Sequence, residues 1–177
     1  MMNSEDQTIS APILDMLTVA NEYCYFLENV EQKKKEQVLM FMQRILPLLY
    51  LKGSLLPSIE PEYPEADERF VAEEKWEVLF TNLRGIFGKD DEFMIIDPQY
   101  INDTEPLKAS ISENLADIYQ DMKDFLLLYQ RNTHAARENA VHDCEKLFAS
   151  HWGFRIGNIL GRIHFMLHDE PDEFPSF

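Results

Sequence analysis

Apolar residues recur every three or four positions along most of the chain, which is the spacing of amphipathic helices. The first helix is predicted after Ser10, an expected N-cap, with Pro12 in its first turn. A second helix follows the basic run Lys33–Lys35 and ends at Gly53, and Pro47 inside it predicts a kink or an early end. The buried stripes predicted for these helices contain Ile13, Met16, Ala20, Tyr23, Leu27, Val30, Val38, Met42, Ile45 and Leu49.

Three further helices are predicted after a proline-rich, acidic loop at residues 57–68. The third ends at Gly88, and the fourth begins with the capping box Ser110-x-x-Glu113. The fifth begins near Thr133 and either continues through the later glycines or breaks at Gly153. We therefore predict an all-α, single-domain bundle of five or six helices over residues 1–177, with an ordered core at about 10–168 and an acidic tail at 169–177.

The segment 151–168 contains glycines at four-residue intervals, Gly153, Gly157 and Gly161. On a helical wheel they form one arc beside a cluster of apolar residues, with Arg155 and Asn158 on the opposite side. Each interior glycine costs a helix about 1 kcal/mol relative to alanine. Close packing against a neighbouring backbone or ring offsets that cost, so we predict a central, largely buried helix here. The alternative is a helix loosened to admit a ligand.

The charge of the chain restricts its partners. It has 32 acidic and 16 basic residues, a net charge of −16, which repels phosphate and argues against direct nucleic-acid binding and against anionic membranes. The same charge permits attraction to a basic protein partner. The first residues do not resemble a signal peptide, and no apolar run approaches the ~20 residues of a membrane span. With only Cys24 and Cys144 available for disulfides, the sequence predicts a cytoplasmic protein.

Two histidines are the best candidates for a metal site. His164 and His168 are four residues apart, so their side chains share one helix face and are able to hold one ion. The intervening glutamate of the zinc-protease motif is absent. The alternative is that both serve as cations at a helix C-terminus, and no cofactor is predicted. Further ligands are not indicated among the available side chains, Glu22, His134, His142, Asp169 and Glu170.

Other patterns point to structure more than to chemistry. Four carboxylates of the fourth helix share one face opposite its apolar stripe, and we predict that this face is solvated. The adjacent pair His142-Asp143 occurs in HD-type phosphohydrolases, but the only upstream histidine, His134, is on the same helix, so we reject that match. Cys144 and His151 are too far apart to form a nucleophilic pair. The four carboxylates are Glu113, Asp117, Asp121 and Asp124.

Residues 89–105 lack a helical period and mix acidic with apolar side chains. Such a segment is a candidate docking surface, since charge steers an encounter and apolar anchors hold it. The alternative is that Phe93–Ile96, which could be a short extended piece, covers the core of the bundle. The candidate docking residues are Phe93, Ile95, Asp97 and Tyr100.

The stretches DIYQDMKDFLLLYQ and FASHWGFRIGNILGRIHFML resemble an uncharacterised bacterial helical family, domain of unknown function 5063. The resemblance covers about residues 10–170 and implies a helical cytosolic fold, with no cofactor and no site residues. Together these observations favour an intracellular interaction or accessory protein without catalysis of its own. Two alternatives stay open, which are a metal-binding bundle or metal-dependent enzyme using His164 and His168, and an acidic nucleic-acid mimic that binds a basic protein.

Overall fold

The computed structural model describes residues 6–96 and 105–169, which fold as one helical bundle with a small β-hairpin. The prediction of an all-α bundle is confirmed. In the described part of the chain, none of the helices is both long and apolar enough to cross a membrane. The helices are α1 (Ala11–Glu28), α2 (Lys35–Gly53), α3 (Glu73–Phe87), α4 (Ile111–Tyr129), α5 (His134–Leu147) and α6 (Gly153–His168).

Local signals set most helix boundaries as predicted. The Ser110 hydroxyl accepts a hydrogen bond from the backbone N–H of Glu113 at 3.1 Å, and Thr133 caps α5 in the same way. The expected end at Pro47 is wrong, because α2 continues through this residue to Gly53. Pro47 lies on the exposed side of the helix. Apolar residues on either side of it in the sequence pack the opposite face of the helix against the core, and this packing stabilises the helix.

The segment after α3 forms an antiparallel hairpin of strands β1 (Glu92–Ile95) and β2 (Leu107–Ser110). The short extended piece is thus confirmed, whereas its partner strand was not predicted. The side chains alternate across the hairpin. Phe93 packs against the core, while Met94 and Ile96 are 61% and 65% exposed. Two of the candidate docking residues, Asp97 and Tyr100, lie outside the described residues.

The central element of the bundle is α4, which contacts α1, α3, α5 and α6. Its side chains are buried on several sides, and the Tyr23 hydroxyl donates to the Leu115 carbonyl at 2.8 Å inside the core. The prediction that the glycine-bearing helix is central is therefore wrong. Only one stripe of α6 is buried, and its other side is exposed at Gly157 and Gly161.

The helices α5 and α6 form one continuous rod joined by a π-helical turn, Phe148–Trp152. The fifth helix therefore continues through Gly153. An added Cβ at Gly153 would overlap the carbonyl oxygen of Phe148, while at Gly157 and Gly161 it would meet no atom within 4 Å. The predicted close approach of a ring therefore occurs at Gly153, where an added Cβ would also lie 2.9 Å from the Phe148 ring, and not at the other two glycines. Gly53, against which the Trp152 ring packs, is a further position of this kind.

Candidate functional site

Three carboxylates of α4 are turned into the protein. Asp121 and Asp124 are 7% and 4% exposed, and the Asp117 side chain is mostly buried. Only Glu113 is exposed as expected. The prediction of a solvated face is wrong for the other three, because α3, α5, α6 and the α2–α3 connection cover the polar side of α4 as well as its apolar side. Buried carboxylates require partners, since an unpaired charge in the interior is costly.

Two of these carboxylates bind basic side chains from the α5–α6 rod. The Asp117 carboxylate lies 2.8 Å from Nη2 of Arg155, and it accepts a hydrogen bond from Nε1 of Trp76 at 2.9 Å. Asp121 lies 2.6 Å from Nδ1 of His151. These contacts fix the orientations of the Arg155 and His151 side chains, because a buried carboxylate accepts a hydrogen bond from each of them.

The third carboxylate fastens the long α2–α3 connection to the bundle. Asp124 accepts hydrogen bonds from the backbone N–H groups of Phe70 and Val71, at 2.8 Å and 2.9 Å. Arg69, from the same connection, lies 3.4 Å from Asp124 and 3.8 Å from Asp121. The proline-rich loop is therefore confirmed as a loop, and buried polar groups hold it in place.

The adjacent residues His142 and Asp143 serve this same connection. Nδ1 of His142 lies 2.7 Å from the Ile59 carbonyl oxygen. Burial, together with the hydrogen bond to the Asp67 carboxyl and the negative charge of that group, raises the pKa of Asp143 to about 6. Both residues thus have partners in the α2–α3 connection.

His151 is presented by the π-helical turn. Trp152, the next residue, is fully buried and donates from Nε1 to the Cys144 carbonyl at 3.0 Å, which anchors the turn. Such turns occur frequently at functional sites, because the extra residue changes which side chains face outward. The hydrogen bond with Asp121 raises the pKa of His151 above its ordinary value, and burial opposes that rise.

The raised pKa of His151 makes the stability of the folded chain depend on pH. Because the pKa of His151 is higher in the folded chain, the pair with Asp121 contributes its full stabilisation below the ordinary pKa of 6.5. That contribution is lost as the pH rises through the folded value, where the imidazole becomes neutral in both states.

His151 and Arg155 line a cavity of about 300 Å³ between β2, the start of α4 and the start of α6. We call it the polar pocket. Its amide groups come from Asn114 and Asn158, and its apolar wall from Phe154 and the hairpin. The remaining lining residues are Ile95, Leu107, Lys108, Ala109, Glu113 and Ser150.

An open groove of about 640 Å³ adjoins the polar pocket. We call it the apolar groove. Tyr50 contributes from α2, Ile96 from the end of β1, and Phe148 from the π-helical turn, while Gly153 and Gly157 lie along α6. The groove and the pocket share Ile95, Phe154 and Asn158 and so lie side by side, and we call the two together the cleft.

The candidate residues of the sequence fall in different places. Ile95 borders both parts of the cleft, whereas Phe93 packs on the core. His164 and His168 have ring centroids 4.6 Å apart, but both are exposed, and Nε2 of His168 lies 3.2 Å from Oε1 of Gln43. Within residues 6–96 and 105–169, no cluster of three or more His, Cys, Asp and Glu side chains is arranged to hold a metal ion.

Comparison with known proteins identifies a family and a fold. No curated protein matches the chain. The crystal structure of protein BF1032 from Bacteroides fragilis is similar, with 33% sequence identity, a TM-score of 0.83, and coverage of 95% of this chain and 99% of that one. The profile of a family described as "Domain of unknown function (DUF5063)" matches residues 7–169. The chain therefore belongs to the DUF5063 family.

Proposed function

We propose that the protein is a non-catalytic binding protein, which holds an extended apolar segment of a partner protein in the apolar groove. The observation that carries this proposal is the convergence of side chains from α2, β1 and the π-helical turn on one open groove. Tyr50 and Ile96 at its border are 48% and 65% exposed. Exposed apolar side chains that converge on a groove are typical of protein-interaction sites.

The shape of the groove favours a polypeptide over a small molecule. Small-molecule sites usually enclose 70–90% of the ligand surface, whereas this groove is open along α6. The neighbouring His151–Asp121 pair does not make the cleft a hydrolase site. In the described ranges, no hydroxyl or thiol side chain hydrogen-bonds His151, and the Ser150 hydroxyl donates to the Lys146 carbonyl.

The charge of the chain favours a partner whose surface is basic. A net charge of −16 accelerates encounters with proteins whose surface is basic. We therefore expect a basic partner with an apolar segment that enters the groove. The proposal includes a cytoplasmic location, with which the free, buried thiols of Cys24 and Cys144 are consistent.

Two glycines of α6 provide a matched test. Leucine at Gly157 places its side chain in the apolar groove, whereas leucine at Gly161 is equally exposed but outside the groove. We expect the fold to accept both leucines, because an added Cβ meets nothing within 4 Å at either position. In affinity capture from native lysate with quantitative mass spectrometry, we expect a partner that wild type and Gly161→Leu retain and Gly157→Leu loses.

Both variants must first show the circular dichroism spectrum and melting temperature of a folded chain. Retention of every captured protein by Gly157→Leu at wild-type levels would contradict the proposal, as would equal losses in the two variants. A wild-type chain that captures nothing specific would contradict it as well.

A further inference from the structure

The polar pocket contains two hydrogen-bonding side chains, Arg155 and His151, that buried carboxylates hold in place. Asp117 holds Arg155 and Asp121 holds His151, at 2.8 Å and 2.6 Å. Among the residues that the structure describes, none forms a hydrogen bond with Nε2 of His151. Burying two carboxylates costs desolvation free energy that their ion pairs offset only in part, and here it holds two basic side chains in fixed orientations. The remaining donors are therefore prepared for an acceptor that enters from the cleft.

The chemistry of these donors selects an oxyanion. A guanidinium binds a carboxylate through two parallel hydrogen bonds, and a protonated imidazole beside it adds a third donor. Phosphate is disfavoured, because its second negative charge would meet Glu113 in the same pocket and a chain with a net charge of −16. The Lys108 ammonium, which also lines the pocket, lies 2.7 Å from the Glu92 carboxylate. A singly charged carboxylate fits both the donors and the surroundings.

The walls of the pocket indicate which carboxylate this is. Ile95, Leu107 and Phe154 provide apolar surface in the same cavity as His151 and Arg155. The last residue of a polypeptide offers this combination, since its apolar side chain and its carboxylate are attached to one carbon atom. The pocket also adjoins the apolar groove, in which the preceding residues would lie.

We infer that the polar pocket binds the C-terminal carboxylate of the segment that occupies the apolar groove. His151 and Arg155 bind the carboxylate, and the hairpin and Phe154 contact the last side chain. This inference rests on the proposed function and adds to it that the partner docks through an apolar C-terminus. Capture of chain ends by oriented donors is an established mode of peptide recognition.

The inference is tested with three synthetic peptides of matched length. The first is N-acetyl-Leu-Phe-Leu with a free C-terminus, the second is its C-terminal amide, and the third is the amide N-acetyl-Leu-Glu-Leu, which carries its carboxylate on a side chain. Binding to the wild-type chain is measured at pH 6 by amide chemical-shift titration. We expect the free acid to bind at least tenfold more tightly than either amide.

Arg155→Gln tests whether the preference for the free acid arises in the polar pocket. We expect this variant to reduce the ratio of acid to amide affinity from tenfold to near one. Should Arg155→Gln fail to fold, the comparison of acid and amide on the wild-type chain still decides the matter. Equal binding of acid and amide, when Gly157→Leu abolishes both, overturns the carboxylate site and leaves the proposed function standing. Preference for the glutamate peptide overturns the C-terminal assignment, and failure of all three peptides to bind overturns the pocket as a carboxylate site.

Discussion

Replacing Gly53 with alanine is expected to lower the free energy of unfolding by about 1–3 kcal/mol, the usual cost of overpacking a filled core. The added methyl group would overlap the Trp152 ring and press on Phe148. Trp152 cannot move away easily, because it is fully buried and its Nε1 donates to the Cys144 carbonyl at 3.0 Å. The strain would also reach the π-helical turn that presents His151.

Urea denaturation followed by circular dichroism measures this loss, and Gly157→Ala is the matched control. Gly157 is exposed inside a helix and has open space around it, so alanine should raise the free energy of unfolding by up to about 1 kcal/mol. Equal midpoints for Gly53→Ala and wild type would show that the Trp152 ring does not lie against Gly53.

Replacing Asp124 with alanine is expected to cost about 2–4 kcal/mol of stability, because each buried donor that loses its acceptor costs about 1–3 kcal/mol. The backbone N–H groups of Phe70 and Val71 would lose the oxygen that they share. Of its two ion pairs among the described residues, Arg69 would keep the 3.8 Å contact with Asp121. The α2–α3 connection should then loosen before the bundle unfolds.

Asp124→Asn separates the two contributions. Asparagine retains one carbonyl oxygen for the two backbone N–H groups but removes the charge that faces Arg69. We expect its loss of stability to be less than half that of alanine. Hydrogen exchange at Phe70 and Val71 should accelerate in Asp124→Ala and change little in Asp124→Asn. Unchanged exchange in the alanine variant would contradict the proposed role of Asp124.

Local patterns were sufficient to predict the helices. The cap at Ser110, the start of the fifth helix near Thr133 and the stripes of α1 and α4 depend on residues within a few positions of one another, and the structure confirms them. The early end at Pro47 failed, because packing of the helix against the core outweighs one missing hydrogen bond. Strand β2 was not predicted, because its extended form depends on its pairing with β1, which a local pattern does not contain.

The candidate site depends on contacts that a local pattern does not contain. Periodicity placed the carboxylates of α4 on one face, but it carries no information about what covers that face. The partner of Asp121 is 30 positions away at His151, and Trp76 is 41 positions from Asp117. One signal was present in the sequence, because Arg155 and Asn158 fall together on the polar side of α6 and both line the polar pocket.

The glycines of α6 show the same limit. Their spacing indicated a strip without side chains, and the two available explanations were close packing and access for a ligand. The structure places Gly157 beside an open groove instead of a neighbouring ring, so close packing does not explain this glycine. The choice between these explanations depends on where α2 lies relative to α6, which the spacing of the glycines does not show.

Buried carboxylates of α4 orient the basic side chains Arg155 and His151 at the cleft, and the proposed carboxylate site depends on that orientation. An NMR titration of the His151 ring protons tests it most directly, in wild type, in Asp121→Asn and in Glu113→Gln, which alters an exposed carboxylate of the same helix. We predict a His151 pKa above 6.5 in wild type and in Glu113→Gln. In Asp121→Asn it should fall below that value, because burial remains when the acceptor charge is gone. A wild-type pKa at or below 6.5, or one that Asp121→Asn leaves unchanged, would contradict the account.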